Sequence, residues 1–277
     1  MDYDRPDHRK YARGRKKKFS GKTGLIMTII AVIVIITACG GIGFYIHSSN
    51  QKKEAAIAKK AKKADPEETQ EQYEKLKEQV SVDADDPMFR KINFADAQVI
   101  NPDVYAWIWI PGTSIDYPIL QSETEEDTYY LNHTIEKKEG LPGTIYTEKY
   151  NAKDFSDPVT VVYGHNMKNG SMFAGLHQYE DRTFFDANPY VYIYMPDQTL
   201  RYHIFSAVTF DDRYLLGSYN FNSPLDFGEF LDEVRGNING NVNIDIPVLQ
   251  DTGILTLSTC IADSPNERLL VNATREE

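Results

Sequence analysis

Residues Ile254 to Ala273 read ILTLSTCIADSPNERLLVNA, and the fold is best approached through them. Ile254–Thr259 has strand composition and runs straight into Cys260, so alternation puts Ile254, Thr256, Ser258 and Cys260 on one face. The next seven residues, Ile261–Glu267, include Asp263, Ser264, Pro265 and Asn266, a turn composition. Arg268–Ala273 then reads as a returning strand with Arg268, Leu270 and Asn272 on one face. Neighbouring strands lie ~4.8 Å apart, so a strand–loop–strand of this kind brings Cys260 and Arg268 to the same end of a sheet, facing one substrate-sized space.

Working outward, short runs of Val, Ile, Tyr and Phe recur as strands: Val104–Gly112, Val159–Gly164, Val191–Met195 and Arg201–Phe210. No helices alternate regularly with them, which disfavours a parallel doubly wound sheet and favours a mainly antiparallel barrel or sandwich. One segment breaks the pattern. In SPLDFGEFLDEVRG, Ser223 is an N-cap, Pro224 takes the first helical position and Asp226 lies in the first turn. Phe227, Phe230, Leu231 and Val234 share a face, and Gly236 ends the helix.

The N-terminal third differs. Residues 1–80 hold 17 of the 30 Lys/Arg and 10 of the 41 Asp/Glu, a basic head on an acidic body. Leu25–Ile46 is 22 residues without a charge, close to the roughly 20 that a helix needs to cross a bilayer. Counting cations near each end, eight at 9–22 lie before it and six at 52–63 lie after it, which favours a cytoplasmic N-terminus and an extracellular body. A cleaved signal peptide, or a lipidated Cys39 in ITAC, is the alternative to an uncleaved anchor. Residues 47–87 are Lys/Glu/Ala-rich, with Tyr73, Leu76 and Val80 at helical spacing. The expected organisation is a basic tail at 1–24, a transmembrane anchor at 25–46, a polar, largely helical stalk at 47–87 and a globular body at 88–277.

With Cys39 inside the span, Cys260 has no partner in the exported body, so it is either intermolecular or a reactive thiol. Arg268 can favour the thiolate, hold a developing oxyanion, or merely sit in a surface ion pair. A thiol also needs a proton-transfer partner. His203 lies mid-strand, His177 in a short helix and His133 after YYLN, whereas His165 directly follows an apolar strand and Gly164 in VVYGHNMKNG. A strand end is where a fold holds a functional group on rigid support, although a lone histidine can equally be structural.

These residues carry a resemblance. TLSTC followed by Arg268 on RLLVNA resembles the sortase signature, and YGHN with MF seven residues past the histidine resembles the class B sortases. The similarity runs from about Asn93 to Ala273 through NPDVYAWIWIPGTSIDYPILQ and YYLNH. It implies an eight-stranded closed β-barrel with N-terminal helices and one helix inserted before the cysteine strand. It also implies a membrane-anchored cysteine transpeptidase of Gram-positive bacteria, with Cys260 as nucleophile, His165 as general acid/base and Arg268 as oxyanion or substrate stabiliser. By the same matching, Leu131, Ser258, Thr259 and Asn166 line the groove for a C-terminal sorting signal. Asp127, four before Leu131, and Ile261, after the cysteine, depart from the relatives' pattern. The implied partners are surface proteins with sorting signals, an amine acceptor from peptidoglycan precursor or a pilin lysine, and the plasma membrane. No cofactor, metal or nucleic acid is implied. A thiol hydrolase of surface proteins and a catalytically silent binding module remain the alternatives.

Overall fold

The computed structural model describes residues 65–276. The basic tail, the apolar segment at 25–46 and the first part of the expected stalk lie outside the described residues. Among the described residues no helix is long and apolar enough to cross a membrane.

The described chain begins with helix α1 (Pro66–Val80), whose N-cap Asp65 accepts from the Glu67 N–H at 2.9 Å. Tyr73, Leu76 and Val80 share one face and are buried in the main core. Tyr73 packs edge-on against Tyr117 at 5.4 Å and donates its hydroxyl to the Gly143 carbonyl. Residues 66–80, placed in the stalk on sequence, thus pack against the barrel through this face. Their charges line only the outer face, and the apolar stripe beneath is too wide to leave in water.

Strands β1 (Ser81–Val82) and β2 (Lys91–Ile92) form a small antiparallel pair, followed by helix α2 (Phe94–Ile100). Arg90 fastens this region to the body. Its guanidinium makes two bonds to the Asp116 carboxylate, at 2.9 and 3.0 Å, and lies over the rings of Trp109 and Tyr194.

The remaining strands are β3 (Val104–Trp109), β4 (Asp116–Leu120), β5 (Ile145–Thr147), β6 (Val159–Tyr163), β7 (Tyr190–Tyr194), β8 (Thr199–Asp211), β9 (Gly240–Val242), β10 (Ile254–Ile261) and β11 (Ser264–Arg275). Helix α3 (Arg182–Ala187) precedes β7; α4 (Leu215–Ser218) and α5 (Pro224–Arg235) lie between β8 and β9. The sheet order is β11-β10-β6-β5-β4-β3-β7-β8, and β8 pairs with β11 to close eight strands into a barrel. This is the barrel the motif resemblance implies. β9 adds to β8 outside the ring, at Ser206–Val208. The sheet is mixed, since β4–β5 and β6–β10 pair in parallel.

Helix α5 forms where its caps and apolar spacing put it, with Ser223 as N-cap and Gly236 at its end. Its Phe227, Phe230 and Val234 pack with Val159, Val161, Ile254 and Leu270 into a second core on the outer side of the barrel. Leu255, Leu257, Leu269 and Val271 point instead into the barrel core. Strand β10 is therefore buried on both faces.

Glu148, just past β5, is buried and accepts the Tyr214 hydroxyl at 2.6 Å, tying the chain before α4 to the barrel. Burial pushes its carboxyl up to about 7, against the pull of the Tyr214 bond, with the Asp127 charge adding to the rise.

Two outcomes follow from this packing. Leu76→Ala lowers the stability of the full chain by about 2–5 kcal/mol, read as a lower urea midpoint; a value near zero would return α1 to the stalk. Because the folded-state pKa of Glu148 is raised, its contribution is full in acid and is lost as pH rises through about 7. Glu148→Gln removes that loss, so the variant gains about 2–3 kcal/mol on wild type between pH 5 and pH 8 in urea titrations.

Candidate active site

The ends of three adjacent strands build the site. β6 and β10 run parallel with Ser258 opposite Tyr163. One residue further on, the Gly164 N–H donates to the Ser258 carbonyl at 3.2 Å, and the buried Thr259 hydroxyl donates to the Gly164 carbonyl at 2.8 Å. The next residues on the two chains are His165 and Cys260. On the other side of β10, the antiparallel register sets Arg268 of β11 directly opposite Cys260. The expected trio therefore occupies one end of three neighbouring strands, with Cys260 in the middle.

Cys260 is exposed at its strand end while Ile254–Thr259 behind it are buried. Gly164 is tightly enclosed, because a Cβ there would stand 2.5 Å from the Ile145 side chain and 2.7 Å from the Phe173 ring. Any larger residue would push the strand tip, and His165 with it, out of register.

His165 is half-buried and its Nε2 lies 2.6 Å from the Leu131 carbonyl, on the 3-10 turn Tyr129–Leu131. A carbonyl only accepts, so Nε2 carries the hydrogen and the neutral ring keeps Nδ1 as its basic atom. Burial holds the imidazole below its ordinary 6.5, and the Leu131 bond works in the opposite sense without prevailing. That carbonyl depends in turn on Gly143, at φ +65, where a Cβ would come within 2.5 Å of the Leu131 oxygen.

The hairpin joining the last two strands is tighter than its composition predicts. Ile261 pairs with Ser264, Asp263 takes the left-handed turn position at φ 64, and Pro265–Glu267 bulge out before Arg268 meets Cys260. The bulged backbone is not a free loop, because it pairs with the end of β8: Glu267 lies opposite Asp211, and the Asp212 N–H donates to the Asn266 carbonyl. The guanidinium of Arg268 donates through Nη1 to the carbonyls of Pro265 and Glu267, at 3.1 and 2.9 Å. The same bulge that lifts Arg268 into register thus also holds its side chain.

The other expected positions gather here in different ways. Asn166 donates through Nδ2 to the Cys260 carbonyl at 3.1 Å. Leu131 contributes its carbonyl to His165, with its side chain packed against the core. Ser258 and Thr259 are buried beneath the thiol. Two further residues reach the site that the sequence reading did not assign to it. His177, in the 3-10 segment Phe173–Glu180, approaches the Cys260 carbonyl through Nε2 at 3.1 Å, and Glu180 bonds the opposite ring nitrogen. Neither has a motif, since the bond joins a side chain to a main-chain carbonyl 83 positions away. Among the described residues no three His, Cys, Asp or Glu side chains gather as metal ligands.

The sortase-domain family pattern matches residues 108–276 of the chain. Sortase B of Listeria monocytogenes is 35% identical over 175 residues, covering 62% of this chain and 69% of that protein. Among solved structures, Clostridium perfringens sortase B superposes with a TM-score of 0.59 at 31% identity, over 66% of this chain and 100% of the other. A Streptococcus pyogenes class B sortase involved in pilus biogenesis superposes with a TM-score of 0.57 at 28% identity, over 66% of this chain and 98% of the other.

The burial of His165 has a measurable consequence. In a nitrogen-15 NMR titration its ring remains neutral and Nε2-protonated down through the pH at which an exposed imidazole is half-charged, about 6.5. Because the unfolded chain takes up that proton first, this residue subtracts stability as pH falls below about 6.5. A midpoint at or above the ordinary value would contradict the buried, carbonyl-tethered geometry.

Proposed function

This chain belongs to the sortase family and is a class B-like cysteine transpeptidase, and we propose that Cys260, His165 and Arg268 carry its reaction. The observation behind this assignment is the register of β6, β10 and β11, which makes the thiol the middle member of the three. The substrate is the C-terminal sorting signal of a surface protein, cut after threonine. The Cys260 thiolate attacks the threonyl carbonyl carbon, and the carbonyl electron pair moves onto oxygen. Arg268 supplies a permanent positive charge and N–H donors for that oxyanion.

Collapse of the tetrahedral intermediate breaks the C–N bond, and the protonated Nδ1 of His165 delivers its proton to the departing amine. A thioester of Cys260 remains. The acceptor amine, from a peptidoglycan precursor or a pilin lysine, gives a proton to Nδ1 as it attacks the thioester. The new amide leaves, and the thiolate and the imidazolium are restored together. Because His165 is held below its ordinary pKa, the protonated ring needed for the first half-reaction is a minority form at neutral pH. Asn166, Leu131, Ser258 and Thr259 line or underpin the groove for the signal. The apolar segment at 25–46 anchors the enzyme with its N-terminus in the cytoplasm, so the barrel works on the outer face of the cell membrane.

The test is a threonine-containing peptide library offered to the full chain with and without hydroxylamine as the acceptor amine. Wild type forms hydroxamate products through a thioester located at Cys260 by mass spectrometry. Cys260→Ala abolishes them, and Arg268→Lys lowers turnover about 10²-fold or more. A product mixture unchanged by the amine would make the enzyme a thiol hydrolase, and an acyl group found elsewhere would remove Cys260 from its role.

A further inference from the structure

Cys260 is held by its main chain as well as by its strand. Its carbonyl lies 3.1 Å from Asn166 Nδ2 and 3.1 Å from His177 Nε2, and those two nitrogens are 2.9 Å apart. His177 Nδ1 faces the Glu180 carboxylate at 3.2 Å. The support is rigid on each side. Phe173, Leu176 and Tyr179 of the same 3-10 segment are buried, and Asn241 of β9 donates to the carbonyls of Tyr179 and Glu180 at 2.8 and 3.0 Å. Asn166 is fixed by a bridge to Met172 and by the Phe173 N–H, which donates to the His165 carbonyl at 2.9 Å.

We propose that His177 is a positioning residue of the transfer reaction: together with Asn166 it clamps the carbonyl of Cys260 and so fixes the peptide that carries the nucleophile. The inference rests on the assignment of Cys260 as that nucleophile. The hydrogen assignment follows from the partners. Glu180 accepts, so Nδ1 keeps a proton in both ionisation states. In the neutral ring Nε2 is bare and accepts one Asn166 hydrogen, while the other goes to the Cys260 carbonyl. When the ring takes a second proton, Nε2–H donates to that carbonyl directly, and the clamp has two donors and a positive charge. The C=O and N–H of a peptide are locked in one plane, so holding the oxygen also aims the Ile261 N–H.

The full chain is tested with the peptide library and hydroxylamine at pH 7.5, in wild type, His177→Phe, His177→Gln and Cys260→Ala, with thermal midpoints recorded in parallel. His177→Phe keeps the ring shape without a donor and loses about tenfold or more in hydroxamate formation at saturating peptide. His177→Gln restores an amide donor and recovers most of that rate at pH 7.5. A purely packing role would leave His177→Gln no more active than His177→Phe. A His177→Phe rate equal to wild type, or a His177→Gln rate no better than His177→Phe, overturns the proposal. If His177→Phe fails to fold, His177→Gln decides alone: a loss of about tenfold or more in that folded variant overturns the proposal. Activity surviving in Cys260→Ala would instead overturn the nucleophile assignment, which separates the two failures.

Discussion

The site depends on one short pair of hydrogen bonds between parallel strand tips: the Gly164 N–H to the Ser258 carbonyl, and the Thr259 hydroxyl to the Gly164 carbonyl. A one-residue slip would send alternate side chains to the opposite face and would separate the imidazole from the thiol. The hydroxyl is buried, so losing its partner would leave a desolvated polar group, and the register is enforced by that cost. Gly164 permits the approach because no side chain fits between Ile145 and Phe173.

The antiparallel half of the site was legible in the sequence because its parts are local. The Cys260–Arg268 hairpin spans a few residues, and alternation with turn composition was enough to predict which ends meet. Helix α5 was legible for the same reason, since its caps and apolar spacing lie within fourteen residues. Where the pairing partner is distant, residue pattern alone was silent. The parallel union of β6 with β10 joins segments 95 positions apart, and only the motif resemblance brought His165 to Cys260. β4 was missed because Pro118 interrupts its run, and β5 because three residues carry no period. Helix α1 was seen as a helix, but its charged outer face hid the burial of Tyr73 and Leu76.

The strand that carries the thiol is buried on both faces, and this explains its composition. Leu255 and Leu257 fill the barrel, and Ile254 packs under the inserted helix α5. On the outer side Thr256 donates to Asn272, which donates to Ser206, a fully buried chain of side-chain bonds across β10, β11 and β8. Such a chain is stable only when every member is satisfied, so it tolerates little relative movement of the three strands. The alternation of Thr and Leu in ILTLSTC therefore records two different environments, an apolar interior and a polar seam beneath α5.

Barrel closure also restricts how any extended polypeptide can meet Cys260. β10 has β6 along one side and β11 along the other, and β11 is occupied in turn by β8. The cysteine strand consequently has no vacant edge on which an incoming chain could add itself as a further strand. Its selectivity must come from side chains and loop carbonyls that touch the guest residue by residue. Exchanging those few contacts is then the route by which one barrel could be redirected to a different amino-acid sequence without rebuilding its frame.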